Sequence, residues 1–455
     1  MSENIREIAL DSMIEIMENN QFIHVVTAGV LAKYQYLDKT NRAFYSRLVQ
    51  GTCENIIYID YITDHFSKVK VKKMKPLIRN NIRLAVYQII FMDSVPDSAA
   101  CNEAVKLAGK RGFRGLAGFV NGVLRSIAKG YQGVALPDKN KDELQYLSVK
   151  YSVPQWIVKM WSDSMDKEKV YAMLKACNKK SDLVVRVCAS PDNLEEEYNE
   201  VAKQLEDEGV HVMPGKYLKE AMILKDVDYL GRLTAFNEGK IYIQDESSML
   251  VAHAAGIKGD EFCMDICAAP GGKTLHAAMM LDKGGKIIAR DVSDDKVARI
   301  NDNVIRCGCS NVEAQVFDAT VHDDNMEGKA DIVFADVPCS GLGVIGHKPD
   351  IRYKTKEEDI ESLVKLQREI LENAVTYVKA GGVLIYSTCT VNDYENIGNV
   401  RWLTEKCGLE PESLEPYIPK CLCNETTSKG YLTLVPGIND CDGFFIARFR
   451  KRNED

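Results

Sequence analysis

Apolar residues three and four apart dominate the first part of the chain. In Ile5-x-x-Ile8-Ala9-x-x-Ser12-Met13-x-x-Ile16-Met17 they form the stripe of an amphipathic helix. Similar stripes follow at 41–66, 76–92, 101–109 and 116–128, where Val120, Val123, Leu124 and Ile127 share one face. No alternating strand pattern interrupts them up to about residue 130, so the spacing predicts a bundle of several helices. Gly130-Tyr-Gln-Gly133 and Pro137-Asp-Lys-Asn-Lys-Asp142 then form a polar break rich in turn residues, which marks a boundary. Over 151–240 the pattern becomes that of a small α/β unit. A strand, Leu183-Val-Val-Arg-Val187, precedes a charged helix at 193–208, Gly209 ends it, and Val210-His-Val-Met213 begins another strand. From about 240 onward, Phe262-Cys-Met-Asp-Ile266, Lys286-Ile-Ile-Ala289, Ile332-Val-Phe-Ala335 and Val383-Leu-Ile-Tyr386 alternate with helical segments. This is the rhythm of a parallel, doubly wound sheet. The expected architecture is multidomain: an all-α bundle over 1–135, a small α/β linker domain over 150–240 and an α/β Rossmann-like domain over 241–455.

Composition narrows the class. The chain has 455 residues, 45% hydrophobic and 27% charged, which is a globular balance. No run approaches the ~18 uncharged apolar residues of a membrane-spanning helix. Acidic residues lie inside the apolar pattern of the first twenty positions, unlike a signal peptide, so a cytoplasmic location is expected. Fourteen cysteines in a chain of this size read as buried thiols rather than disulfides. There is no Cys-x-x-Cys, and Cys307/Cys309 and Cys421/Cys423 have no neighbouring His cluster, so no metal site is expected. Formal charge is +6 over residues 1–150 and −14 over the rest. The asymmetry hints that the N-terminal part meets a polyanion, although a solvated basic face accounts for it equally well. Its basic residues concentrate at Lys68, Lys70, Lys72, Lys73, Lys75, Arg79 and Arg83, and again at Lys110, Arg111 and Arg114.

The first strand of the last region runs into Asp265-Ile-Cys-Ala-Ala-Pro-Gly-Gly-Lys-Thr274 and then a helix. A small-residue loop of this kind lets a ligand approach backbone N–H groups. A Walker A loop needs Gly where Cys267 stands, and a dinucleotide fingerprint needs more glycines than Gly271 and Gly272. S-adenosylmethionine remains as the candidate cofactor. Asp291, 19 residues after Gly272 and at the end of the next strand, suits the ribose hydroxyls. Asp318, after the third strand, suits the adenine amino group. Taken singly, each acid is as readily a helix cap or a turn residue.

Two further strand ends carry Ala335-Asp-Val-Pro-Cys-Ser-Gly341 and Tyr386-Ser-Thr-Cys-Thr390. The strand–helix–strand connection between them places Cys339 and Cys389 near each other, with Asp336 at the same sheet edge. That helix is expected to open at a capping box, Thr355-x-x-Glu358, and to stop at Gly381-Gly382. Buried inert thiols are the bland alternative. Two cysteines and an acid beside a methyl donor suggest a defined chemistry, however. A thiolate that adds to carbon 6 of a pyrimidine turns carbon 5 into a nucleophile. A carboxylic acid at N3 relieves the charge that builds on the ring.

These motifs resemble the RNA cytosine-C5 methyltransferases of the NOL/NOP/Sun group, through Cys267-Ala-Ala-Pro-Gly-Gly-Lys273, Asp336-Val-Pro-Cys-Ser-Gly341 and Ser387-Thr-Cys-Thr390. The resemblance implies that Cys389 is the nucleophile, that Cys339 resolves the covalent adduct, and that Asp336 faces N3 and borders the cofactor. It likewise implies an S-adenosylmethionine site formed by Cys267, Ala268, Ala269, Pro270, Gly271, Gly272 and Lys273 with Asp291 and Asp318. Gln244-Asp-Glu-Ser-Ser248 matches the segment before the catalytic domain. Residues 1–130 resemble a NusB-type RNA-binding domain through Asn41-Arg-Ala-Phe-Tyr-Ser-Arg-Leu-Val-Gln-Gly-Thr52, Ala100-Cys-Asn-Glu-Ala-Val105 and Phe119-Val-Asn-Gly-Val-Leu-Arg125. The small α/β unit then corresponds to an RRM-like domain. The whole order is similar to Sun/Fmu-type enzymes, which implies 16S (small-subunit) ribosomal RNA as substrate, naked or partly assembled, and a monomer acting away from membranes. Lys348 and Arg352 are candidates for lining the RNA channel, with surface charge as the alternative. His347, Tyr353 and Cys188 depart from the family pattern. Transfer RNA or large-subunit RNA as substrate, or an RNA-binding assembly factor with an inactive catalytic domain, are the rival readings.

Overall fold

The computed structural model describes residues 4–179, 182–227 and 229–453, which fall into two compact units. The first unit is helical and comprises Met1–Lys179 with Ile345–Glu357. Its helices are α1 (Ile5–Met17), α2 (Ile23–Lys33), α3 (Lys39–Glu54), α4 (Ile56–Phe66), α5 (Pro76–Phe91), α6 (Asp97–Lys110), α7 (Ala117–Gly130), α8 (Glu143–Tyr151), α9 (Gln155–Ser164) and α10 (Lys167–Ala176). The stripe predicted over 41–66 is two helices, because the chain turns at Asn55. The apolar stripes converge on one core that includes Leu10, Leu48, Ile59, Val86, Tyr87 and Leu124. Each fully buried Leu or Ile stabilises the unit by roughly 1.5–3 kcal/mol.

Part of the predicted basic face is paired within this unit. Arg83 donates Nε to Asp60 Oδ1 at 2.8 Å and Nη2 to Oδ2 at 2.6 Å, and Arg79 binds Glu18 at 2.6 Å. These two guanidiniums are therefore not free to meet phosphates. Lys68, Lys70, Lys72, Lys73 and Lys75 remain exposed.

Arg352 corrects a second expectation. It is 0% exposed, so it lines no channel. Its Nη1 donates to the carbonyl of Ser152 at 2.9 Å and to Asn178 Oδ1 at 3.1 Å, and its Nη2 donates to the Cys177 carbonyl at 3.0 Å. The ends of α8 and α10 leave carbonyls without helical partners, and the guanidinium satisfies them. Asp350, also 0% exposed, accepts from the Ile23 amide at 3.0 Å and pairs with Lys354 at 3.0 Å. Replacing Arg352 by alanine leaves buried carbonyls unpaired, so it should cost about 3 kcal/mol or more of unfolding free energy. Denaturant unfolding followed by the fluorescence of Trp156 and Trp161 checks this, and an unchanged midpoint contradicts it.

The second unit comprises Lys180–Val344 and Glu358–Asp455. It begins with a small sheet: β1 (Leu183–Val187), α11 (Leu194–Asp207), β2 (His211–Pro214), β3 (Ala221–Lys225), α12 (Thr234–Asn237) and β4 (Ile241–Ile243). The strand order is β2-β3-β1-β4 with every pair antiparallel, the split βαβ arrangement of ferredoxin-like domains, to which RRM-like folds belong. The larger sheet follows. Its elements are α13 (Glu246–Ala255), β5 (Phe262–Asp265), α14 (Gly272–Met280), β6 (Lys286–Asp291), α15 (Asp294–Arg306), β7 (Val312–Val316) and β8 (Ala330–Asp336). Next come α16 (Ile351–Lys354, within the helical unit), α17 (Asp359–Tyr377), β9 (Val378–Thr388), α18 (Ile397–Cys407), β10 (Glu410–Pro411), β11 (Tyr431–Leu434) and β12 (Phe444–Arg450). The order is β10-β12-β9-β8-β5-β6-β7, with β11 beside β12. Strands β5 to β9 are parallel and β12 is antiparallel to β9. The order reverses between β5 and β8, where open sheets of this type bind ligands at the carboxyl ends of the strands.

The helix expected from Thr355 begins instead at Asp359, and Gly381-Gly382 lies inside β9 rather than behind a helix. No helix among the described residues is long and apolar enough to cross a membrane.

Candidate active site

The loop after β5 is shaped for a ligand. Gly271 has φ of 108°, a left-handed conformation that favours glycine, and it brings the chain directly into α14. Asp291, at the end of β6, accepts from the Ala269 amide at 2.9 Å through Oδ2, and from Lys296 Nζ at 2.9 Å through Oδ1. It thus holds the 267–273 loop against the neighbouring strand end. Asp265, at the end of β5, takes a hydrogen bond from Thr274 Oγ1 at 2.6 Å, and its Oδ1 is buried without a partner. An orphaned carboxylate oxygen beside a small-residue loop fits a cofactor that brings hydroxyls or positive charge. Asp318 is exposed after β7 and accepts from the Thr320 amide at 2.9 Å and hydroxyl at 2.7 Å, bonds that lower its pKa. It forms a turn at a neighbouring strand end.

Burial pushes the Asp265 carboxyl up to about 7, with Asp336 adding to the effect. Because the folded pKa lies above the unfolded value near 4, the folded state holds this proton more tightly. Its contribution to stability is full below pH ~4 and is lost as pH rises through about 7. Asp265→Asn should flatten that part of the pH–stability curve. Urea midpoints measured from pH 4 to 8 check it, and an unchanged slope contradicts it.

The second cluster lies at the ends of β8 and β9, which are neighbours in the sheet. Asp336 accepts from Lys273 Nζ at 2.6 Å and from Ser387 Oγ at 2.7 Å. Burial works against the Lys273 charge, but the Asp336 carboxylate outweighs it and raises the lysine pKa. The Sγ atoms of Cys339 and Cys389 lie 3.4 Å apart, and both residues are half-buried. The hydrogen bond to Cys389, together with burial, pushes the Cys339 thiol far above its usual range. Cys339 therefore holds its proton more tightly than an ordinary cysteine, beside the Cys389 sulfur.

The structure thus brings Cys339, Cys389, Asp336 and Lys273 to one sheet edge, with the 267–273 loop and Asp291 at the adjacent strand ends. Among the described residues of this unit, Glu220, His253 and His276 also place metal-ligand atoms together. Burial opposes the Glu220 charge, but hydrogen bonds from both imidazoles outweigh it and lower its pKa. His253 Nε2 lies 2.5 Å from Glu220 Oε1, within hydrogen-bond reach.

Comparison with known proteins now adds to this geometry. Residues 253–450 match the family model described as 16S rRNA methyltransferase RsmB/F, residues 3–129 match the NusB family, and residues 153–228 match the ferredoxin-like domain of RsmF/B-like methyltransferases. The chain is 35% identical over 452 residues to the probable ribosomal RNA small subunit methyltransferase B of Bacillus subtilis (strain 168), covering 99% of both chains. It belongs to the RsmB/F methyltransferase family. As a member it is an enzyme, an S-adenosylmethionine-dependent methyltransferase with a NusB-type helical domain. It is also 26% identical over 455 residues to the ribosomal RNA small subunit methyltransferase B of Vibrio cholerae serotype O1, covering 99% of this chain and 98% of that one. The crystal structure of PH0851 superposes with a TM-score of 0.83 at 27% identity, covering 99% and 100% of the two chains.

Sequence reasoning placed Lys273 with the cofactor loop and did not foresee its bond to Asp336. It missed Ser387, Ser340, Thr390 and Glu395 altogether. The hydroxyl residues adjoin the motif cysteines, so their proximity to the site was readable. Glu395 carried no signal before the fold was known.

Proposed function

We propose that this RsmB/F-family enzyme transfers a methyl group to carbon 5 of a cytosine in small-subunit ribosomal RNA through a covalent bond between Cys389 and carbon 6. The observation that carries the reading is the pair of sulfurs 3.4 Å apart at two adjacent strand ends, beside an acid already bonded to a half-buried lysine. A site built only to hold a cofactor needs no paired thiols. The names and full-length coverage of the relatives support ribosomal RNA as substrate.

In this reading the Cys389 thiolate adds to carbon 6, and the ring electron pair moves towards N3. Asp336 meets N3, and the Lys273 ammonium offsets the negative charge that develops there. The 267–273 loop with Asp291 and Asp318 would hold S-adenosylmethionine, which would supply an electrophilic methyl group to carbon 5 and leave as S-adenosylhomocysteine with the electron pair of the broken S–C bond. A base then removes the carbon-5 proton and passes it to water. The C–H electron pair forms the C5–C6 double bond, and the C6–S pair returns to Cys389, a release that requires Cys339. Carbons 5 and 6 are reached only from the ring face, so the target base must be single-stranded or flipped out. The exposed lysines at 68, 70, 72, 73 and 75 give the helical unit a sequence-independent grip on phosphates that weakens with salt.

The test is methyl transfer from labelled S-adenosylmethionine to unmodified small-subunit, large-subunit and transfer RNA, with bisulfite mapping of the products. One protected cytosine in the small-subunit RNA is expected. Transfer only to another RNA overturns the substrate, and transfer without a protected cytosine overturns the chemistry.

A further inference from the structure

The reaction as written leaves a buried carboxylate without a task. Glu395, between β9 and α18, is 0% exposed. Its Oε1 accepts from the Ser340 amide at 2.8 Å and from Gln367 Nε2 at 2.9 Å. Its Oε2 accepts from the Ser340 hydroxyl and from Asn392 Nδ2, the latter at 2.8 Å. All four donors are uncharged. Taking a carboxylate out of water with no cation opposite it is expensive, and four hydrogen bonds only offset the cost. Both oxygens are taken up by donors that fix neighbouring loops, so the side chain has a positional use.

What the four bonds hold is specific. Ser340 follows Cys339, and its hydroxyl lies 2.7 Å from the hydroxyl of Thr390, which follows Cys389. Three residues after Ser340, the Gly343 amide donates to the Cys389 carbonyl at 3.1 Å. A Cβ on Gly343 would fall 2.1 Å from the Gly443 carbonyl oxygen, so the loop's close approach there requires glycine. The two cysteine loops are thus tied to each other twice just beyond the sulfurs, and Glu395 is the hub of the buried tie. Gln367 extends it to α17, and the Tyr386 hydroxyl donates to the Glu395 carbonyl, anchoring the hub to β9. The Glu395 charge also adds to the effects that keep the Cys339 thiol protonated.

We propose that Glu395 is a positioning residue that fixes the Cys339 loop against Cys389, so that release of the RNA adduct keeps pace with its formation. The proposal rests on the covalent reading above. Attack on carbon 6 needs Cys389 alone, on its own strand end. Release needs both loops in register: the carbon-5 proton leaves to water, its electron pair forms the C5–C6 double bond, and the C6–S pair returns to Cys389 while Cys339 faces it. A displacement of about 1 Å in such a site costs on the order of a hundredfold in rate.

The experiment compares wild type, Glu395→Gln, Ser340→Ala and Cys339→Ala by S-adenosylmethionine affinity, turnover and the amount of protein–RNA complex that survives denaturing electrophoresis. Glu395→Gln should bind S-adenosylmethionine within about twofold of wild type, turn over about tenfold to a hundredfold more slowly, and accumulate the complex several-fold. A merely structural defect instead lowers adduct formation and release together, and that parallel loss overturns the proposal. So does wild-type turnover. If Glu395→Gln fails to bind S-adenosylmethionine, Ser340→Ala, which cuts the tie from the cysteine side, decides by the same criteria. If Cys339→Ala also yields no complex, the release role of Cys339 falls, and the positioning role of Glu395 with it.

Discussion

Cys389→Ala should abolish methyl transfer, by more than about 10³-fold, while S-adenosylmethionine binds as before. A loss of that size corresponds to about 4 kcal/mol of transition-state stabilisation. It is expected because the attack on carbon 6 is assigned to Cys389, and the second sulfur at this edge is a poor substitute. The neighbouring sulfur of Cys339 lies 3.4 Å away, but the hydrogen bond to Cys389 and burial hold it as a thiol. A thiol attacks carbon far less readily than a thiolate. The cofactor side should not notice the change, because the 267–273 loop is held by Asp291 from β6 and Asp265 lies on β5. Turnover and calorimetric cofactor affinity separate the two effects. Residual activity within tenfold of wild type would remove Cys389 from its role.

Cys339→Ala should do something different in kind. Addition to carbon 6 and methylation of carbon 5 remain open to Cys389, but release stalls, and the enzyme stays attached to its RNA. The expected result is a complex stable in denaturing gels that contains about one RNA per protein and a methylated base. Turnover falls by at least about 10²-fold, since each enzyme works once. Absence of the complex, with Cys389 intact and good substrate, assigns Cys339 another part. The same gel with Cys389→Ala serves as the blank.

The two predictions depend on an arrangement that was partly visible in the chain alone. Short, continuous apolar runs before Asp336-x-x-Cys339 and Thr388-Cys389 placed both thiols at carboxyl strand ends, and the parallel β8–β9 pairing brings them together. The register that sets them 3.4 Å apart was not visible, because it depends on how Ser387 faces Asp336 across that pair. The helix between them started four residues later than its capping box suggested, since Asp359 rather than Thr355 begins the turn. Arg352 was misjudged for a general reason: a charged residue in a polar loop looks exposed until the tertiary fold brings unpaired helix-end carbonyls to it. Lys273 and Glu395 show the same limit from the other side. Each matters through a partner 63 or 55 residues away, Asp336 and Ser340 respectively, and no local pattern encodes such a pairing. The place of Asp291 at a strand end was legible because it follows from the local apolar run, and the structure adds its bond to the Ala269 amide.

Methylation at carbon 5 of cytosine expels the hydrogen on that carbon, whereas methylation at a nitrogen or a ribose oxygen leaves it in place. Small-subunit ribosomal RNA carrying tritium at carbon 5 of cytosine, incubated with S-adenosylmethionine and the enzyme, measures this directly. One tritium should appear in water for each methyl group transferred, and none with Cys389→Ala. Methyl transfer with the tritium retained in the RNA would contradict the account at its centre.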